Sequence, residues 1–293
     1  MRKNTKASAL ILSVIAALGL AAMPVSTKGQ ELSFKFVPLN FPDSASTEAD
    51  GINIRAEIIG FFVDSSGKQH GFLDQLGIFT QLDFPGASAT KTVGINDFGN
   101  FVGAFTDASG IQHGLLHRAG EYTQLDFPGA ASTQALSINN EGVIAGSFTD
   151  SGGSTHGFVH RAGDFTQIDF PGGTNTIAFG INDEGVIVGS FNNSSGVQHA
   201  FIKRGSHFTQ FDPPGAATSV AFGLNVFGVI VGSFTNAAGN GNGFFDLGGH
   251  FSQVSFPGAA STDANGINEI GFLVGDYFDA AGVEHGYFAI GLP

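Results

Sequence analysis

Three sets of polar side chains recur along the chain at intervals of 43 residues, and each is of a type that does chemistry. Asn53, Asn96, Asn139, Asn182, Asn225 and Asn268 form one set without exception. His70, His113, His156, His199 and His285 form a second, with Asn242 at the remaining place. Asp83, Asp126, Asp169 and Asp212 form a third, with Asn40 and Ser255 completing it. A ring of carboxamides can hold sugar hydroxyls or a cation, imidazoles ligate zinc, and paired carboxylates hydrolyse glycosides.

Spacing removes most of these options. Stacked sheets lie about 10 Å apart, whereas zinc ligands must all reach one ion at about 2 Å, so histidines on successive repeats cannot share a metal. His113 and His117, like His156 and His160, are four apart, which on a strand is about 13 Å, unlike the helical H-E-x-x-H of zinc proteases. The histidines are therefore expected to make structural hydrogen bonds. A catalytic carboxylate pair needs about 5 to 9.5 Å, which symmetry-related aspartates on outer strands are not expected to meet. Calcium loops of the D-x-D-x-D-G type, nucleophile motifs, phosphate loops and dinucleotide fingerprints are all absent from the sequence. No catalytic residue, metal site or cofactor is expected. The asparagines are expected first as turn formers, because an Asn side chain bonds the backbone two residues on. They remain the candidate binding set, together with Phe227, which with Val226 replaces the polar pair at the tip of the fifth turn.

The elements that must position these residues follow from the same period. Pro42, Pro85, Pro128, Pro171, Pro214 and Pro257 stand 43 residues apart, and units counted from Val37 run to Pro293 as five of 43 and one of 42. Each unit reads as four short strands. In residues 176 to 214, TIAFGIN, VIVGSF, VQHAFIK and HFTQFD are separated by glycine-containing turns and stopped by Pro213 and Pro214. Gly60, Gly103, Gly146, Gly189, Gly232 and Gly275 recur as punctuation, as do the turn glycines at Gly67, Gly110, Gly153, Gly196, Gly239 and Gly282. With no tryptophan and 31 phenylalanines, Phe must supply the bulk between sheets.

Four-stranded units of this length predict an all-β, six-bladed β-propeller. An open solenoid would need polar end caps, and the last unit stays apolar through GYFAIGLP. The array also starts with a fourth strand, residues 33 to 42, and ends with a third, residues 283 to 290. Pairing the two completes the last blade and leaves no open sheet edge between the termini. The turns after the asparagines then lie on one face of the ring, and the D-x-x-G and P-G-A loops on the other.

Residues 1–29 carry Arg2, Lys3 and Lys6 ahead of an apolar run from Ala7 to Met23, the pattern of a secretory signal peptide. Residues 30–293 are then expected to form a single domain, secreted as a monomer with no membrane insertion once the signal is removed. That domain holds eight basic against 25 acidic residues, a net charge of −17, which makes nucleic acid a poor partner. There is no cysteine, hence neither disulfide nor lipid-anchoring thiol.

The phrases "GINDEGVIVGS", "QHAF" and "FTQIDFPG" together resemble the bacterial extracellular repeat group named for its HAF tripeptide, over residues 37 to 293. Only His199-Ala200-Phe201 spells HAF; other copies read HGF, HGL, HGY or NGF. The resemblance implies export and a repetitive β fold, and carries no catalytic residues. No loop exceeds its counterparts before the final unit stops, so a ligand would meet six near-copies of one surface, which favours multivalent contact over one reaction centre. The expected function is that of a non-catalytic binding or surface-interaction module for polysaccharide or a protein partner. The alternative is a propeller-class hydrolase or lyase acting on sugars, lactones or phosphate esters. An asymmetric cluster of unlike carboxylates at the channel would favour that alternative, and six equivalent shallow sites would favour binding.

Overall fold

The computed structural model describes residues 32–292. The signal peptide expected at residues 1–29 lies outside them. Five blades are consecutive four-stranded antiparallel sheets. The first is β2 (Ser46–Ile52), β3 (Glu57–Val63), β4 (Gln69–Gln75) and β5 (Phe79–Leu82), counted here after β1 (Ser33–Leu39). The second is β6 (Ala89–Ile95), β7 (Phe101–Thr106), β8 (Gln112–Arg118) and β9 (Glu121–Leu125). The third is β10 (Ser132–Ile138), β11 (Ile144–Thr149), β12 (Thr155–Arg161) and β13 (Asp164–Ile168). The fourth is β14 (Thr174–Ile181), β15 (Ile187–Asn192), β16 (Gln198–Arg204) and β17 (His207–Phe211). The fifth is β18 (Ala216–Leu224), β19 (Val229–Asn236), β20 (Gly241–Leu247) and β21 (His250–Val254).

The sixth blade joins the two ends of the chain. β22 (Ser261–Ile267), β23 (Phe272–Phe278) and β24 (Glu284–Leu292) are completed by β1 as the fourth strand. β1 runs antiparallel to β24 in unbroken register from Ser33 opposite Leu292 to Leu39 opposite Gly286. Val37 and Leu39 are buried in a cluster that also holds Ile58 and Phe72 of the first blade and Phe288 of the sixth. The ring is closed as the offset of the array predicts.

Blades are locked to one another by a stacked aromatic pair at five of the six crossovers. There the Phe before the proline leaves the outer strand of one blade and lies flat on a ring from the second strand of the next. Phe41 on Phe62, Phe84 on Phe105, Phe127 on Phe148 and Phe256 on Tyr277 have centroids 3.7 Å apart, and Phe170 on Phe191 3.6 Å. The crossover backbone is fixed by a hydroxyl on the following inner strand, as where Phe41 N donates to Thr47 Oγ1 at 3.0 Å. Pro213 breaks the pattern in the fifth blade. It has neither an aromatic ring nor an N–H to offer, and Ser219, in the place of that threonine, instead accepts from Ala200 N and donates to Asp212 Oδ1.

The Gly60 series sits in mid-strand rather than at turns. Each first strand carries a register shift against the second, as between Ala49 and Gly51 or Ala178 and Gly180. The shift drives an inner-strand carbonyl onto the glycine. A Cβ on Gly60 would lie 2.0 Å from Glu48 O, and one on Gly189 would lie 1.9 Å from Ile177 O. Only glycine fits there.

Candidate functional site

The structure brings all six candidate asparagines together around one mouth of the central channel, each closing the turn between a first and a second strand. Asn182 Oδ1 accepts from Glu184 N at 3.1 Å and Val186 N at 3.0 Å, and Gly185, at φ 74°, completes the turn. Each Nδ2 donates to the backbone carbonyl of the next asparagine round the ring. The bonds run from Asn53 to Asn96 (3.2 Å), to Asn139 (3.0 Å), to Asn182 (3.0 Å), to Asn225 (3.2 Å), to Asn268 (3.2 Å) and back to Asn53 (3.0 Å). All six are buried. The set forms a closed belt that couples every blade to its neighbour, and its carboxamides are bonded to backbone groups of their own turn and the next.

A second, incomplete tier lies one residue further on. Asp97 accepts from Ile54 N, Asn140 from Asp97 N, Asp183 from Asn140 N, and Glu269 from Val226 N. Burial, with Asp183 and Asp97 nearby, raises the Glu269 carboxyl above its ordinary value. Phe227 stands out of this rim at 67% exposure, and Phe98, in the equivalent place of the second blade, at 71%. In the sequence only Phe227 stands out, because apolar Val226 precedes it where Asp97 precedes Phe98.

The opposite face carries a polar cluster in each blade. His70 Nδ1 lies 2.9 Å from Asp83 Oδ1, its Nε2 lies 3.4 Å from Asp64 Oδ2, and Gln81 Nε2 donates to Asp83 Oδ2 at 2.6 Å. The same arrangement recurs at His113 with Asp126, Asp107 and Gln124, and at His156 with Asp169, Asp150 and Gln167. In the fourth blade His199 keeps Asp212 but takes Asn193 on its other nitrogen, and in the sixth His285 lies between Asn40 and Asp279. The fifth has Asn242, Gln253 and Ser255 in the corresponding places. The expected structural hydrogen bonds of the histidines are made here. The hairpin aspartates are held below their ordinary values, Asp107 first by the Ile111 backbone N–H and Asp64 first by the Ser66 hydroxyl. Burial opposes protonation of His156, and hydrogen bonds to Asp169 and Asp150 outweigh it, so its imidazole is raised. The Asp83, Asp126, Asp169 and Asp212 side chains remain 27% to 39% exposed to solvent.

The channel itself is not six-fold. The inward positions of the first strands bear Glu48, Lys91, Gln134 and Asp263 in one layer, with Ile177 and Val220 at the equivalent repeat positions, and Asp50, Val93, Leu136, Phe179, Phe222 and Asn265 in the next. Asp276 and Glu284 join from the second and third strands of the sixth blade, and the lumen has a volume of about 310 Å³. Its polar arc lies on the sixth, first and second blades, and its apolar arc on the fourth and fifth. Lys91 Nζ lies 3.5 Å from Glu48, 4.0 Å from Asp50 and 4.2 Å from the centre of the Phe61 ring. Asn265 Nδ2 donates to Asp276 Oδ1 at 2.9 Å.

Burial, then the Glu48 charge, pushes Asp50 and Asp276 well above the carboxylate range, and the same two causes bring Glu284 to about 7. Burial disfavours the Lys91 ammonium, but Asp50 and Glu48 more than restore it. Against the expectation that a ligand would meet six near-copies of one surface, the outer clusters repeat closely in the first three blades and vary in the others, and the channel is lined by unlike residues. The asymmetry was written in two columns of the first strand, not in loop length. Among the described residues, no group of three or more His, Cys, Asp or Glu side chains is arranged to hold a metal ion.

No model of a known protein family matches the chain, and no curated protein matches it. Solved structures do. Aleuria aurantia lectin, a fungal lectin described as a six-bladed β-propeller with a novel fucose recognition mode, is similar over 86% of this chain and 93% of its own, with a TM-score of 0.53 at 10% identity. SapL1 lectin in complex with α-methyl fucoside is similar over 82% and 90%, with a TM-score of 0.54 at 11% identity. The β-propeller domain of the Trilobed protease from Pyrococcus furiosus, described as having an open velcro topology, is similar over 84% and 95%, with a TM-score of 0.53 at 8% identity. Sheet order and these likenesses define the class: the chain is a six-bladed β-propeller of four-stranded antiparallel blades.

Proposed function

We propose that the protein is an exported, non-catalytic carbohydrate-binding propeller, a member of the HAF-type repeat group, that engages glycans through the polar clusters on its crossover face. The observation that carries this reading is their recurrence: His, Gln and Asp side chains meet in the same way in each of the first four blades, with the carboxylates part exposed. A carboxylate that accepts and an amide that donates suit the adjacent hydroxyls of a sugar, and several weak sites on one rigid face gain affinity by acting together. The lectin neighbours, which bind fucose-containing ligands on the same fold, support the carbohydrate class. The leader pattern in residues 1–29 supports export.

Surface-immobilised fucosylated and other glycans, presented to the protein lacking residues 1–29, test this. Wild type is expected to be retained, and Asp126→Asn with Asp169→Asn to lose about tenfold or more in apparent affinity as two of the clusters fail. Retention unchanged in the double variant, or no glycan bound at all, overturns the reading. The hydrolase or lyase alternative draws on the unlike carboxyls of the channel, and release of product from the same glycans would establish it instead.

A further inference from the structure

We propose that the central channel is a second binding site, separate from the outer clusters, for an organic ammonium or guanidinium ion that carries an apolar body. Three observations converge on it. The first is a concentration of acidic groups: Glu48, Asp50, Asp263, Asp276 and Glu284 line one side of the lumen, where burial makes them costly to ionise without a counter-ion, and Lys91 is the only cation among the lining residues.

The second is an unanswered acceptor. The Asp50 side chain is 8% exposed, and its Oδ2 has no hydrogen-bond partner. The adjacent carboxyl of Glu48 is itself an acceptor unless protonated, and Lys91 Nζ, already shared with Glu48, stands 4.0 Å away. Two buried carboxyls side by side require a proton or a cation between them, because neither can satisfy the other when both are ionised. A ligand N–H group supplies the missing donor and the missing charge together.

The third is the opposite wall. Blades one and four face each other across a six-membered ring, as do blades two and five. Asp50 therefore has Phe179 across the channel, and Lys91 has Val220 in its own layer. Phe179 and Phe222 meet edge to face at 5.1 Å and 86°, both only partly buried. A lumen of about 310 Å³ is within the range of small-molecule sites, and one with a carboxylate pole and an aromatic pole selects an amphiphilic cation. A bare metal ion would find no ligand set of three among the described residues and nothing to do with the aromatic wall.

The test is calorimetric titration of the protein with 2-phenylethylamine, with 2-phenylethanol as the uncharged analogue and calcium chloride as the inorganic cation. The amine is expected to bind and the alcohol not to bind. Asp50→Asn and Phe179→Ala are each expected to weaken the amine by about tenfold or more, from opposite ends of the ligand. Both substitutions alter the lumen lining, so each variant's melting curve is recorded without ligand, and Glu48→Gln provides a second route to the acidic pole. Absence of amine binding to wild type, equal binding of the alcohol or of calcium, or affinity unchanged in the variants overturns the proposal. Binding of glycans to the crossover face is read separately, since those clusters are untouched in the variants, so either site can fail without the other.

Discussion

At the residue scale, burial and hydrogen bonding divide the polar side chains into those that hold the ring and those held at a cost. Asp74 is 1% exposed, and its Oδ1 accepts only the Gly77 N–H, at 2.6 Å. Burial lifts its carboxyl from 3.8 to about 6, against the smaller effect of that hydrogen bond. A group whose folded value is raised binds protons more tightly in the native state, so its contribution is most favourable below the unfolded value and is lost as pH rises through the folded one. Asp74→Asn keeps an acceptor for Gly77 and removes the titration. Relative to wild type, the variant is expected to gain about 2 to 3 kcal/mol between pH 4 and pH 8, whatever its pH-independent offset, in melting curves at the two values. A constant difference across that range would remove the assignment. The asparagines show how far single residues were legible. Their turn-forming role follows from Asn-x-x-Gly in five of the six turns, with Ala56 at φ 56° closing the Asn53 turn, because the bonds involved span two and four residues. Their second role needs a partner 43 residues away, or 215 at the closure, and no local pattern carries that distance.

At the scale of the element, the inner strand does the most unusual work. Its pleat turns alternate residues toward the lumen, and its register shift presses a carbonyl against the glycine of the second strand. Gly189→Ala would place a methyl 1.9 Å from Ile177 O and 2.8 Å from the Phe201 ring, with no flexible side chain to yield at the first contact. We predict a loss of about 2 to 4 kcal/mol in urea unfolding, in line with other overpacked or strained backbone sites. A loss below about 0.5 kcal/mol would show that the strand pair can relax. Strand limits were readable to within a residue from alternation and turn glycines, as β15 illustrates: it runs from Ile187 to Asn192 where VIVGSF spans 186 to 191. The channel site was not. Alternation separates the two faces of a strand but does not say which faces a lumen, so the varied Glu48 and Asp50 columns look the same as drift on an exposed surface.

At the scale of the whole molecule, closure depends on a strand that contributes to a blade formed by the other end of the chain. Removing residues 1–44 takes away β1, exposes the backbone edge of β24 and strips Val37 and Leu39 from the core shared by the first and sixth blades. Burial of those two side chains alone is worth about 3 to 6 kcal/mol. The shortened protein is expected to melt well below the protein beginning at residue 30, and to self-associate through the free edge in light scattering. Equal melting temperatures would show that the ring stands without its closing strand. The offset of the repeat array made this arrangement legible, since six fourth strands and six sets of the other three can be matched only across the ends. That closing ladder also has a mechanical direction. Ser33 and Leu292 are partners at the same end of an antiparallel pair, so the two extremities leave the ring side by side. Tension between them loads the first pair, then the next, as a zipper opens, whereas a load shared by parallel strands would strain all the pairs at once. A ring closed against edge pairing is thus softest to a pull on its own ends, and attachment to a surface by one end alone leaves that seam unloaded.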